Sequence, residues 1–290
     1  MKIVVTLRKI AERIARTSSF RLTLLAVLSA MVVGAFIIVL SDINKLQNGD
    51  ILGAIKTVGS AYWALVVGSV GSLRAISATI NSATPLILCG LSVAVAFKAG
   101  LFNIGATGQM LAGGMAALWV GFAMDGPGYV QVPLAVLAGA LGGAAYGAIP
   151  GILKARTGAH EVITTIMLNN MAGFLVLWLL KTNLYQREDR TDPISKLVTA
   201  PGHLPRLFGF MDDRPDLVAH AGFVVAILAV IVYSWFLNRS TTGFEFRAFG
   251  MNADAAQYAG MHTKRLTVMA MMFAGGFAGL AGSAEVLGTY

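Results

Sequence analysis

The sequence predicts an all-α integral membrane protein, a polytopic helical bundle of about 7–8 membrane segments. Three observations carry this. Hydrophobic residues make up 56% of the 290 and charged residues only 12%, against roughly 25% charged in ordinary soluble domains. The apolar runs are long and continuous rather than alternating every second residue, which favours helices over a barrel. Glycine occurs 33 times, which suits close helix packing in lipid.

In order along the chain, residues 1–21 hold six basic side chains and one acidic one. A basic flank before a first apolar run is the positive-inside signal, so this N-terminus is expected in the cytoplasm. Residues 22–40 follow as an apolar run of about 28 Å as a helix, close to the ~30 Å hydrocarbon core. No small-residue cleavage site ends it, so an uncleaved first span is expected. From 22 to 290 the chain reads as one transmembrane domain.

Residues 41–56 are polar and read as external. The run 58–73 is short and carries Gly59, Gly68 and Gly71. Counting crossings, a re-entrant or half-membrane segment here keeps Lys154 and Arg156 on the cytoplasmic side; a broken span within 74–123 would do so equally. Residues 84–120 are nearly unbroken and too long for one helix. They divide into 84–97 and 106–122, with 98–105 as the break. Residues 132–153 form the next span, with Gly139, Gly143, Gly147 and Gly151 at i, i+4, i+8 and i+12. That spacing puts all four on nearly one face, where another backbone can approach.

Residues 162–180 cross outward. The loop 181–217 contains four prolines and six basic against six acidic residues, a balance expected outside. Residues 218–237 return inward, and 266–287 form a last glycine-rich span. Between them, 238–265 is polar and net basic, hence cytoplasmic. Asn252 is a good N-cap, Asp254 complements the first turn, and Gly260 is a natural stop. A short exposed helix over 253–259 is expected, a surface built to grip another protein.

No enzyme signature is present. There is no phosphate-binding loop of the G-x-x-x-x-G-K-[ST] type, the four histidines lack metal spacing, and Cys89 is the only cysteine. No catalytic residue and no metal site are therefore expected. The net charge of +8 is distributed as membrane orientation requires, not as a nucleic-acid surface. Charges inside the spans are few: Lys98, Glu161 and Glu285, which argues against an ion-coupled carrier.

Two polar constellations remain. Asn103, Thr107 and Gln109 stand between glycines at a helix break, where amides and backbone either line a solute cavity or close a tight turn. Glu161, Thr165 and Asn169, with Thr164, share one face of the next helix; they either line the same path or hydrogen-bond between helices.

These stretches together resemble the permease subunit of ATP-binding-cassette importers, in the nucleoside and simple-sugar branch. The resemblance rests on Ala83–Leu88 with Ala96–Gly105 and Gly108-Gln109, on Gly158-Ala159-His160-Glu161 through Asn169, and on Thr241–Gly250 with Asn252–Gly260. It implies a multi-pass protein of the inner (plasma) membrane that translocates a nucleoside or simple sugar. It implies a cytoplasmic ATPase subunit that uses ATP, a second permease subunit, and an extracytoplasmic solute-binding lipoprotein or periplasmic protein. The chain itself would hold no cofactor. Asn252, Asp254, Ala255, Ala256 and Gly260 would form the coupling helix that docks on the ATPase. His160 stands where the family more often has Asn, and Asp254 where it has Glu. Family members usually continue for further helices, so the last helices of the fold are expected to be absent. The alternatives are an ion-coupled secondary transporter of a small polar solute and a non-transporting membrane scaffold.

Overall fold

The computed structural model describes residues 19–211 and 214–288. The basic stretch read as cytoplasmic therefore lies mostly outside the described residues, as do Asp212 and Asp213 of the external loop. The described part is mostly helical, and seven of its helices are long and apolar enough to cross a membrane. The chain divides into two compact units, Met1–Ser72 and Leu73–Tyr290.

In the first unit, α1 (Ser19–Ser41) and α3 (Ile51–Val70) pair across the short α2 (Ile43–Gln47). The Tyr62 hydroxyl donates to the Met31 carbonyl and ties the two long helices. Lys45 pairs with Asp42 at 3.1 Å, and this hydrogen bond holds the half-buried Asp42 carboxyl below its ordinary range. The segment read as 58–73 is longer than expected, a helix long and apolar enough to cross a membrane. The helix starts seven residues earlier than the apolar run, because the Asp50 side chain accepts from the Gly53 amide at 2.8 Å and caps it. Lys56 and Thr57 lie within its first two turns, and the helix is a full 20 residues. Gly59 and Gly68 have open space where a Cβ would stand and do not interrupt it.

The second unit holds α4 (Leu73–Lys98), α5 (Ala106–Ala123), α6 (Gly128–Thr157), α7 (Glu161–Leu179), α8 (Gly222–Arg239), α9 (Thr241–Met251), α10 (Ala253–Tyr258) and α11 (Thr263–Gly288). The six long helices alternate in direction. One end gathers the start of α4, where Ser77 Oγ accepts from the Ala219 amide, and the end of α11, where the Leu287 carbonyl accepts from the Leu204 amide. Gln131 belongs to the same end, donating to the Gly121 and Met124 carbonyls and to Thr199 Oγ1. The other end gathers Gly100 against Gly250, the α6–α7 turn, and the α9–α10 segment. The expected helix 84–97 starts at Leu73 instead, and the expected break is real: residues 99–105 are non-helical, and Gly100 turns the chain at φ +71°.

α11 is the hub, packed most extensively on α6 and then on α5 and α4. Glycine explains the closeness. A Cβ at Gly143 would overlap the Gly275 carbonyl oxygen, and one at Gly147 would overlap that of Met271. Gly139 faces Ser283, Gly151 faces Val268, and Gly113 of α5 faces Gly279. Backbone thus meets backbone along the seam, where dispersion contacts replace the hydrophobic drive that lipid does not supply.

The 181–217 loop, read as external, is more than a plain connector. A 3-10 turn at Ala200–Gly202 and isolated bridges Gln186–Ser195 and Arg206–His220 fold it over the helix ends.

Candidate functional site

The two polar constellations form one assembly. Glu161 is the latch. Its carboxylate pairs with Lys154 at 2.6 Å and accepts from the Phe102 backbone N–H, so it joins the end of α6, the start of α7 and the 99–105 break. Gly158, left-handed at φ +74°, makes the turn that brings Lys154 back to it. One turn along α7, Thr165 is fully buried and packs where a Cβ on Gly105 would stand. One further turn along, Asn169 Nδ2 donates to the Ile104 carbonyl at 2.8 Å, and its Oδ1 accepts from the Gly108 amide at 2.8 Å. The stripe on α7 is a rail on which the helix break is seated.

The break is held from its other side by Asn103 and Gln109, both buried. Asn103 Nδ2 donates to Gln109 Oε1 at 2.8 Å and to Ser92 Oγ at 3.1 Å. Its Oδ1 accepts from Gln109 Nε2 at 3.1 Å and from the Gly105 amide at 3.0 Å. Both amide groups of Asn103 are fully engaged, as buried polar groups must be. Of the six sequence-selected path residues, only Thr107 is exposed; Asn169 is partly so. Phe97 and Phe102 stand exposed beside them, with ring centroids 4.6 Å apart. Neither ring was among the sequence-selected path residues, although both lie in the stretch 96–105 that carries the resemblance.

The second candidate surface is α10. Asn252 caps it, its Oδ1 accepting from the Ala255 amide at 2.9 Å, and Gly260 stops it at φ +86°. The helix ends at Tyr258 rather than 259. Asp254 and Ala255 face outward, but Ala256 is only 3% exposed and packs beneath the helix. The outer face includes two residues sequence reasoning passed over, Met251 at 87% and Tyr258 at 94% exposed. Their signal was available: large apolar side chains flanking a polar, capped turn outside the spans. The segment before α10 is also a helix, α9, which was not expected. Its Ser240 side chain accepts from the Gly243 amide at 2.9 Å and caps it.

Residues 75–289 match the family model described as "Branched-chain amino acid transport system / permease component". The chain belongs to this permease family. A permease of Bacillus subtilis described as a guanosine ABC transporter protein is 41% identical over 95% of this chain and 74% of its own length. A nucleoside ABC transporter permease of Lactococcus lactis is 38% identical, over 84% of this chain and 69% of its own. A glucose ABC transporter permease of Haloferax volcanii is 32% identical, over 91% and 67%. No solved structure matches. The protein is a multi-pass membrane permease component, a transport subunit and not an enzyme. Its matched region includes both surfaces described above.

Proposed function

We propose that this permease is the membrane subunit of an ATP-binding-cassette importer for nucleosides, working with a separate cytoplasmic ATPase and an extracytoplasmic solute-binding protein. The observation that carries the reading is its 41% identity, over nearly the whole chain, to a relative described as a guanosine permease. ATP is used by the partner subunit, and a second permease subunit completes the pathway.

In this reading the end bearing Lys98, Lys154, Arg156, Arg239, Arg247, Lys264 and Arg265 faces the cytoplasm of the inner membrane, following the positive-inside rule. The basic residues 1–21 place the N-terminus on the same side. That agrees with an external residue 73 only if one of α1 and α3 stops short of a full crossing. Single cysteines placed at residues 2 and 197, labelled from one side in a Cys89→Ser background, test both assignments.

Solute passes beside Thr107 and Asn169, with the Phe97–Phe102 pair offering a stacking face to a base. Asn103, Gln109, Glu161 and Thr165 hold the break in place. Nucleotide-driven closure of the ATPases moves α10, which moves α11 and the glycine seam between two packings. The test is uptake of labelled guanosine and glucose by proteoliposomes containing this subunit with its ATPase and binding protein. Guanosine uptake that needs ATP supports the reading. Uptake driven by an ion gradient without the ATPase would sink it. Uptake of glucose alone would support the sugar reading, which the Haloferax volcanii relative favours.

A further inference from the structure

At the basic end of the second unit lies a cavity of about 700 Å³, walled by the end of α8, by α9 and by the turn into α11. Three guanidinium groups line it, Arg239, Arg247 and Arg265, against one carboxylate, Glu245. Among the described residues no carboxylate pairs with any of the three; Arg247 has only a 3.5 Å contact to Asn238 Oδ1. Arg239 closes one membrane-crossing helix and Arg265 lies in the first turn of another, so the cavity sits at the depth of the lipid headgroups. Its α11 wall is apolar, made by Leu266 and Met269.

We propose that this cavity holds the phosphate headgroup of an anionic phospholipid from the adjoining leaflet. Charge and position favour a lipid over a protein partner. The guanidinium groups offer forked donors matched to phosphate oxygens. Beyond Met269, the exposed Met272 and Phe273 of α11 line an apolar groove with α6 and α8, where an acyl chain follows its headgroup. Basic pockets between membrane helices are a known physical setting for such headgroups. The α10 outer face, by contrast, is a projecting surface with Asp254 on it, suited to protein rather than to phosphate. The inference concerns a site separate from the solute path, and the lipid titration below is read without ATPase or solute. Its failure therefore leaves the transport reading standing.

The experiment is native mass spectrometry of the full purified chain in detergent, titrated with phosphatidylglycerol or phosphatidylcholine. Wild type should retain phosphatidylglycerol roughly twenty-five-fold more tightly, and Arg239→Gln with Arg265→Gln should abolish that preference, at about a factor of five per arginine. Arg187→Gln with Arg190→Gln, at the opposite end, should leave it unchanged. If the double variant does not purify, each single variant reads the same contrast at about fivefold. The proposal is overturned if the arginine variants keep the preference. It is equally overturned if millimolar inorganic phosphate displaces the lipid, since the cavity would then serve a free anion. Displacement of the lipid by added ATPase subunit would assign the cavity to a protein interface and overturn it as well.

Discussion

α10 and α11 are neighbours in sequence and opposites in surroundings. α11 is enclosed, its glycines pressed against backbone from α5 and α6. α10 projects, with only Ala256 among its six residues buried. The difference separates two jobs. A seam without side chains leaves no tolerance for added atoms, so it stores shape. A short capped helix fixed at both ends by Asn252 and Gly260 has a free outer face, so it can be changed without cost to the fold. Substitutions should therefore divide by region: stability lost in one, coupling lost in the other.

The largest effect is expected at the seam. Gly143→Val should prevent accumulation of folded protein, because its side chain would have to occupy the Gly275 carbonyl and a position 2.6 Å from Gly279 Cα; folded yield after membrane extraction measures it. Gly90→Ala, with nothing within 4 Å of its Cβ, is the matched control and should be neutral or stabilising by up to about 1 kcal/mol. A tolerated Gly143→Val would dissolve the comparison.

Next comes the latch. Glu161→Gln leaves the Lys154 ammonium without its 2.6 Å partner and should lower stability by about 3 kcal/mol. Lys154 keeps a third of its side chain exposed, so the loss should fall at the low end of that class. Thermal unfolding in detergent reads it, and Lys154→Met with Glu161→Gln should recover part of the loss.

Asn252→Ala removes one N-cap and should cost about 1 kcal/mol locally, visible as faster hydrogen exchange across 253–258. Ala255→Arg and Tyr258→Ala should sharpen the contrast further. Permease stability should stay within about 0.5 kcal/mol, while co-purification with the ATPase falls at least tenfold. Stability lost together with binding would mean that α10 is part of the core.

The smallest effect is a pH dependence at the opposite end. His220 is buried, its Nδ1 accepting from the Gly222 amide at 3.1 Å, and burial holds its imidazole below the usual value. The unfolded chain then binds the proton first. Stability should be full above about pH 6.5 and decline as pH falls below it, toward the lowered folded value. His220→Asn should remove that slope from the thermal unfolding profile.

Much of the fold was legible in the sequence, for physical reasons that also mark where reading stopped. Apolar length located the spans, and Asn252 with Gly260 located α10, because both signals are local. The start of α3 was missed because Lys56 and Thr57 separate its apolar first turn, capped by Asp50, from the longer apolar run. α4 was started too late for a similar reason: Arg74, Ser77 and Asn81 lower its first turns. α9 was hidden within a segment read as polar loop, although Ser240 was available as its cap. In the site, the faces of α7 and the glycine-rich break were each visible. That Glu161 and Asn169 bind the break itself was not, since Phe102 and Ile104 contribute only backbone groups there. Backbone partners leave no trace in residue identity.

The Leu204–Leu287 hydrogen bond gives α11 a hand on each side. Its first turn follows α10 directly, and its last turn is stitched to the 181–217 loop. A rod of 26 residues is about 39 Å long, so a tilt of about 5° at the base would carry the tip roughly 3 Å. A push at the α10 end would thereby be felt at the Leu204 end without any relay of intermediate parts.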